Sequence, residues 1–166
     1  MKKHRIRNFF IDLNYGIRNL ISWTPIIWAD RDWCQFFLYK ILRLKLSRME
    51  KLQRKYGHSV DSHKYADQLK VCVNLLDRLL KDEYHEMVFK NHDKKWGETH
   101  FNFIPLEDKP DLLELKITRD NVKTEVEKEK ERKEYRILCE AENKLRKQDI
   151  KYLCYMINKY VEHWWD

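Results

Sequence analysis

Apolar residues recur along most of the chain at three- and four-residue intervals, the spacing of amphipathic helices. Ile6, Phe9, Phe10, Leu13, Ile17, Leu20 and Ile21 share one face and leave Arg7, Asp12 and Arg18 to water. This predicts a first helix, weakened by Asn14 and Gly16 and closed before Pro25, with Trp23 to Trp28 as a short apolar connector. A second helix is expected from an N-cap at Asp30 or Asp32 to about Tyr56, with Gly57 suited to a left-handed residue just past its end. Cys34, Leu38, Ile41, Leu42, Met49 and Leu52 form its apolar arc, and Lys40, Arg43, Arg48, Lys51, Arg54 and Lys55 a basic rail opposite.

A third helix opens at Asp61 or Ser62, buries Tyr65, Leu69, Val73, Leu76 and Leu80, and extends toward Tyr84 and Met87. Between residues 91 and 110 the periodicity fails, and Pro105 and Pro110 mark a long loop. Leu112 to Thr118 fits a short strand or a helix start equally well. A charged helix over 119–147 is expected to be solvated, carrying pairs such as Glu129 with Lys133 four residues apart. It leads into a C-terminal helix over 149–165, where Ile150, Leu153, Cys154, Ile157, Val161 and Trp164 occupy one face. Trp164 and Trp165 predict that the last turn is docked against the protein or a second subunit. The expected architecture is all-α: one domain over 1–166, about five helices in a bundle, with a long loop near 91–110.

Composition supports this. Three Gly and three Pro in 166 residues disfavour sandwiches, barrels and glycine-rich phosphate loops. A 43% hydrophobic and 37% charged chain can stock both a core and a polar surface. Residues 1–60 hold 13 Lys+Arg and 4 Asp+Glu, a surplus of nine positive charges, while the remainder is slightly acidic. Such asymmetry favours an anionic partner: a small molecule or nucleotide, nucleic acid along the basic rail, or an acidic protein surface. Four cysteines without C-x-x-C spacing fit a reducing cytoplasm. Asp12, Asn14 and Arg18 interrupt the only signal-like start, and no run approaches the ~20 apolar residues of a membrane span. No membrane partner is expected. Aromatics near Trp23, Trp28 and the C-terminus exceed what a small core must hide and point to a homo-oligomer.

Two motifs carry candidate chemistry. In Asp30-Arg31-Asp32-Trp33 the acids suit a helix start, while Arg31 can clamp an anion beside the Trp33 ring. Lys94-Lys95-Trp96-Gly97 joins two point charges to an aromatic face, as in nucleotide and single-strand binders, or is a turn with Trp96 plugged into the core. With Arg43, these give the expected ligand-binding set of Arg31, Trp33, Arg43, Lys94, Lys95 and Trp96. A divalent cation held by Asp30, Asp32, His92 and Asp93 is a further alternative, and would need remote carboxylates to converge. His92-Asp93 has general-base character, but no G-x-S-x-G or zinc-ligand spacing accompanies it. No cofactor is implied, and a binding role is expected ahead of an enzyme.

Trp28-Ala29-Asp30-Arg31-Asp32-Trp33 leading into Lys45-Leu46-Ser47-Arg48-Met49, then Lys94-Lys95-Trp96-Gly97 and a terminal Trp164-Trp165-Asp166, resembles a group of functionally unassigned proteins of tailed bacteriophages. The resemblance covers Trp23 to Asp166. Cys34 stands where members often carry aspartate. It implies a phage accessory protein in the cytoplasm of an infected bacterium. The leading expectation is a non-enzymatic protein that sequesters a phosphorylated, nucleotide-type defence signal. The alternatives are a helical protein–protein interaction module and a metal-dependent phosphodiesterase.

Overall fold

Helix is the dominant conformation of the computed structural model, which describes residues 2–31, 34–106 and 109–164. Its elements are α1 (Lys2–Trp28), α2 (Phe36–Tyr56), α3 (Ser62–Lys81), α4 (Tyr84–Trp96), β1 (Thr99–Leu106), β2 (Lys109–Arg119) and α5 (Glu125–Tyr160), followed by a 3-10 turn, Val161–His163. Among the described residues there are five helices, the expected number though not the expected set, and all-α is not the whole description. β1 and β2 form a two-stranded antiparallel sheet pairing Thr99 with Arg119 and Phe103 with Leu115. The expected loop over 91–110 is therefore the end of α4 and the first strand of a hairpin. Phe101 and Phe103 alternate with His100 and Asn102, and Leu113, Leu115 and Ile117 with Glu114, Lys116 and Thr118, in the two-residue period of a strand, a signal that the two prolines obscure; of the two readings of Leu112–Thr118 the strand holds.

The chain packs as two compact units, Met1–Leu80 with Met156–Asp166, and Lys81–Tyr155. In the first, the core is built around α3, where Ala66, Leu69, Cys72 and Leu76 are fully buried. α2 contributes Leu46 and Met49 to burial, whereas Leu38 and Leu52 of the expected arc stay exposed. Trp164, 1% exposed, closes this unit, donating from Nε1 to Gln68 Oε1 at 3.1 Å. Docking of the C-terminal turn onto the protein itself thus holds for Trp164; Trp165 lies outside the described residues.

Several boundaries move for identifiable reasons. α1 runs through Pro25 to Trp28, with Ser22 and Thr24 hydroxyls donating to the Arg18 and Leu20 carbonyls as the ladder ends. α2 begins at Phe36 rather than behind an aspartate cap, and its N-cap Gln35 makes no side-chain capping bond. Gly57 is extended (φ −62°), not left-handed; a Cβ there would collide with Ser62 and the Gln53 carbonyl, so close packing explains the glycine. α3 stops at Asp82, whose φ of 53° breaks the helix before α4 begins.

In the second unit Tyr84, Phe89, His92 and Trp96 form the buried face of α4. The two helices expected over 119–147 and 149–165 are one 36-residue helix, α5. It starts at Glu125 because Thr124 and Glu127 form a capping box. The Glu127 amide donates to Thr124 Oγ1 at 3.2 Å, and Glu127 Oε2 accepts from the Thr124 amide at 2.9 Å.

Candidate functional site

Within Lys81–Tyr155, the end of α4, the hairpin base and the first turns of α5 enclose a cavity of about 730 Å³. Gly97 lets the chain turn sharply out of α4. Its φ is 80°, its amide donates to the Asp93 carbonyl at 2.9 Å, and a Cβ would stand 2.7 Å from that of Asp120. Asp120 in turn accepts from the Glu98 amide at 2.9 Å and pairs with His100 Nε2 at 2.6 Å. The His100 bond, then the amide, hold its carboxyl below the ordinary range. Asn121 completes the clasp, its amide bonding the Trp96 carbonyl at 3.1 Å and its side chain the Lys95 carbonyl at 3.1 Å. The β2–α5 turn thereby fixes the whole Lys94–Gly97 segment.

Arg119, at the end of β2, is the electrostatic centre of the cavity wall. Its side chain is 8% exposed, donates from Nη1 to Asp93 Oδ1 at 2.9 Å and the Gly97 carbonyl at 3.0 Å, and pairs through Nε with Glu131 at 3.0 Å. Two carboxylates and a carbonyl satisfy a guanidinium that could not otherwise be buried. His92 sits beside them, 4% exposed, with its ring nitrogens 3.7 Å from Asp93 and Glu131 and no hydrogen-bond partner. Asp93 therefore makes no orienting hydrogen bond to the imidazole. Farther along α5, Lys128 and Arg132 line the cavity with Phe101 and Tyr135. Lys128 is 3.6 Å from the exposed Glu125, while Arg132 is exposed and without an ion-pair or hydrogen-bond partner among the described residues.

The residues singled out from the sequence distribute differently. Trp96 is 6% exposed and donates from Nε1 to Glu134 at 2.7 Å, while Lys95 takes the other oxygen of Glu134 at 2.5 Å and lies 4.5 Å over the Trp96 ring. Lys95, then Trp96, hold the Glu134 carboxyl below its ordinary range. Of the two readings, the segment takes that of a turn with its tryptophan plugged into the core. Lys94 is exposed at the end of α4. Neither lysine, nor Trp96, lines the cavity, to which the same stretch instead gives Asp93, Gly97 and Glu98.

Arg31 and Arg43 belong to the other unit. Arg31 is exposed, donates to the Asp30 carbonyl at 2.8 Å, and borders a cleft of only about 50 Å³ with Asp30, Cys34 and Lys40. Arg43 is paired with Asp77, and Arg54 of the basic rail with Glu50 and Asp67. Trp33 and Asp32 lie outside the described residues. Among the described residues no group of three or more His, Cys, Asp or Glu is placed to hold a metal ion, and no helix is long and apolar enough to cross a membrane. Missed by the sequence reading were Arg119, Glu131, Arg132 and Tyr135. Only the Thr124/Glu127 box, which sets the phase of α5, could have pointed to them. No family model, no curated protein and no solved structure matches this chain, so the geometry of the cavity alone supports a functional reading.

Proposed function

We propose that the cavity of the Lys81–Tyr155 unit binds a small phosphorylated ligand carrying a flat ring, of nucleotide type, without chemical turnover. The observation that carries this reading is the presence, in the lining of one cavity, of the unpartnered Arg132 guanidinium and Lys128 together with Phe101 and Tyr135. Arginine offers phosphate a planar fork and a ring offers a base a stacking face. The volume falls in the range of ~300–1,000 Å³ usual for small-molecule sites. Arg119 does not serve the ligand directly, because Asp93 and Glu131 already neutralise it; it holds the wall in place. In the phage setting that the sequence resembles, such a protein acts by sequestering a nucleotide signal of bacterial defence.

Calorimetry with linear and cyclic nucleotides tests this. Stoichiometric binding that weakens about 10-fold or more in Arg132→Ala is expected for loss of a charge-assisted contact. No heat from any nucleotide at low ionic strength removes the reading. A second reading, a protein-docking module, is favoured by the hairpin, where Phe103 is 64% and Leu113 58% exposed. It predicts a partner whose binding is indifferent to Arg132.

A further inference from the structure

We infer that α1 is a dimerisation helix that packs antiparallel against α1 of a second copy of this chain. At 100° per residue, Phe9, Phe10, Leu13, Ile17, Leu20 and Ile21 fall within one arc of about 120°. Each of them is between 47% and 70% exposed, so the apolar stripe of α1 is uncovered. The helix is held to its own unit by the opposite side. Asn19 accepts from Arg48 of α2 at 2.9 Å, and Ser22, Trp23 and Ile26 are half-buried there.

Two observations choose the occupant. The six residues form one contiguous apolar stripe left uncovered over about four helical turns, a surface of the kind that marks a protein interface and that a second copy presents identically. Next, a two-fold axis at Tyr15, the midpoint of Lys2–Trp28, maps the stripe onto itself in an antiparallel pair: Phe9 faces Ile21, Phe10 faces Leu20 and Leu13 faces Ile17.

Sedimentation equilibrium of the full chain, without detergent, is the test. A species of twice the 20.7 kDa chain mass is expected. Leu13→Glu and Leu20→Glu should each weaken dimerisation by about 100-fold or more, with unchanged far-UV circular dichroism, and Arg18→Gln, outside the stripe, should leave it intact. Nitroxide amino acids incorporated at Lys3 should lie about 36 Å apart along the paired helices. A monomer at every concentration up to the solubility limit overturns the inference, as do dimers that survive both glutamates, or a short nitroxide separation. A monomer that pellets with phosphatidylserine vesicles also overturns it and assigns the stripe to an anionic lipid surface.

Discussion

Gln53 donates its side-chain amide to the main-chain oxygen of Trp164 at 2.9 Å, joining the last turn of α2 to the chain's last described residue across 111 positions. Both residues are buried, and the Trp164 indole is anchored separately to Gln68. Burial of the ring and satisfaction of the Trp164 carbonyl together make Trp164 part of the first unit's core. Trp164→Ala is expected to destabilise that unit by about 3–5 kcal/mol. Gln53→Ala, which leaves a buried carbonyl unpaired, should cost about 1–3 kcal/mol. Urea unfolding followed by hydrogen exchange on α3 amides checks both; an unchanged midpoint in Trp164→Ala would show that the docking is incidental.

Gly97→Ala strains the second unit twice, through the positive φ of 80° and through the Asp120 side chain 2.7 Å from the new Cβ. The expected loss exceeds about 1 kcal/mol. Because Gly97 also supplies the carbonyl that Arg119 bonds, the cavity should lose ligand affinity in step. Denaturation and binding measured on the same variant separate a local from a global effect.

Acid should weaken the second unit in a defined direction. Asp120, Glu127 and Glu134 all titrate below the ordinary carboxylate range, held there by His100, by the Lys123 amide and by Lys95 respectively. For a depressed carboxyl the unfolded chain binds the proton first. The stabilisation is therefore complete above the ordinary carboxylate pKa and disappears as pH falls through the depressed values. Asp120 is exposed and Glu127 and Glu134 are partly so, so the slope will be shallow. Melting temperatures should be level from neutrality into mild acid and then fall, and Glu134→Gln should flatten that fall.

The thiols should divide by burial. Cys72, in the α3 core, is pushed up to about 11 by desolvation, whereas Cys154 on α5 is exposed. Iodoacetamide at mildly alkaline pH should label Cys154 quickly and Cys72 only on unfolding. Mass spectrometry of timed samples reads this directly, and rapid labelling of native Cys72 would contradict the core described here.

The helices were legible because their apolar residues repeat at helical spacing, and Leu69, Val73 and Leu76 are indeed interior. The hairpin was legible only in part. Leu113, Leu115 and Ile117 alternate with Glu114, Lys116 and Thr118, which left Leu112–Thr118 open to a strand, but Pro105 and Pro110 interrupt the pattern around the turn and hide the partner strand. Nor does spacing reveal pairing between distant charges. Arg43 with Asp77, Lys95 with Glu134, and Arg119 with Glu131 are separated by at least twelve residues, and each removes from solution a cation that the sequence offers as free. The Lys94–Gly97 motif is open in sequence to a ligand site or a turn with Trp96 in the core; its tryptophan and second lysine complete the end of α4, and Asp93, Gly97 and Glu98 line the cavity instead.

Amide NMR during titration with a nucleoside monophosphate, and with its parent nucleoside, tests the central claim most directly. A ligand seated in the cavity should shift Gly97, Thr99, Phe101, Arg132 and Tyr135, with the nucleoside much weaker than the phosphate. Shifts confined to the region of Arg31 and Arg43, or none at saturating ligand, would contradict it.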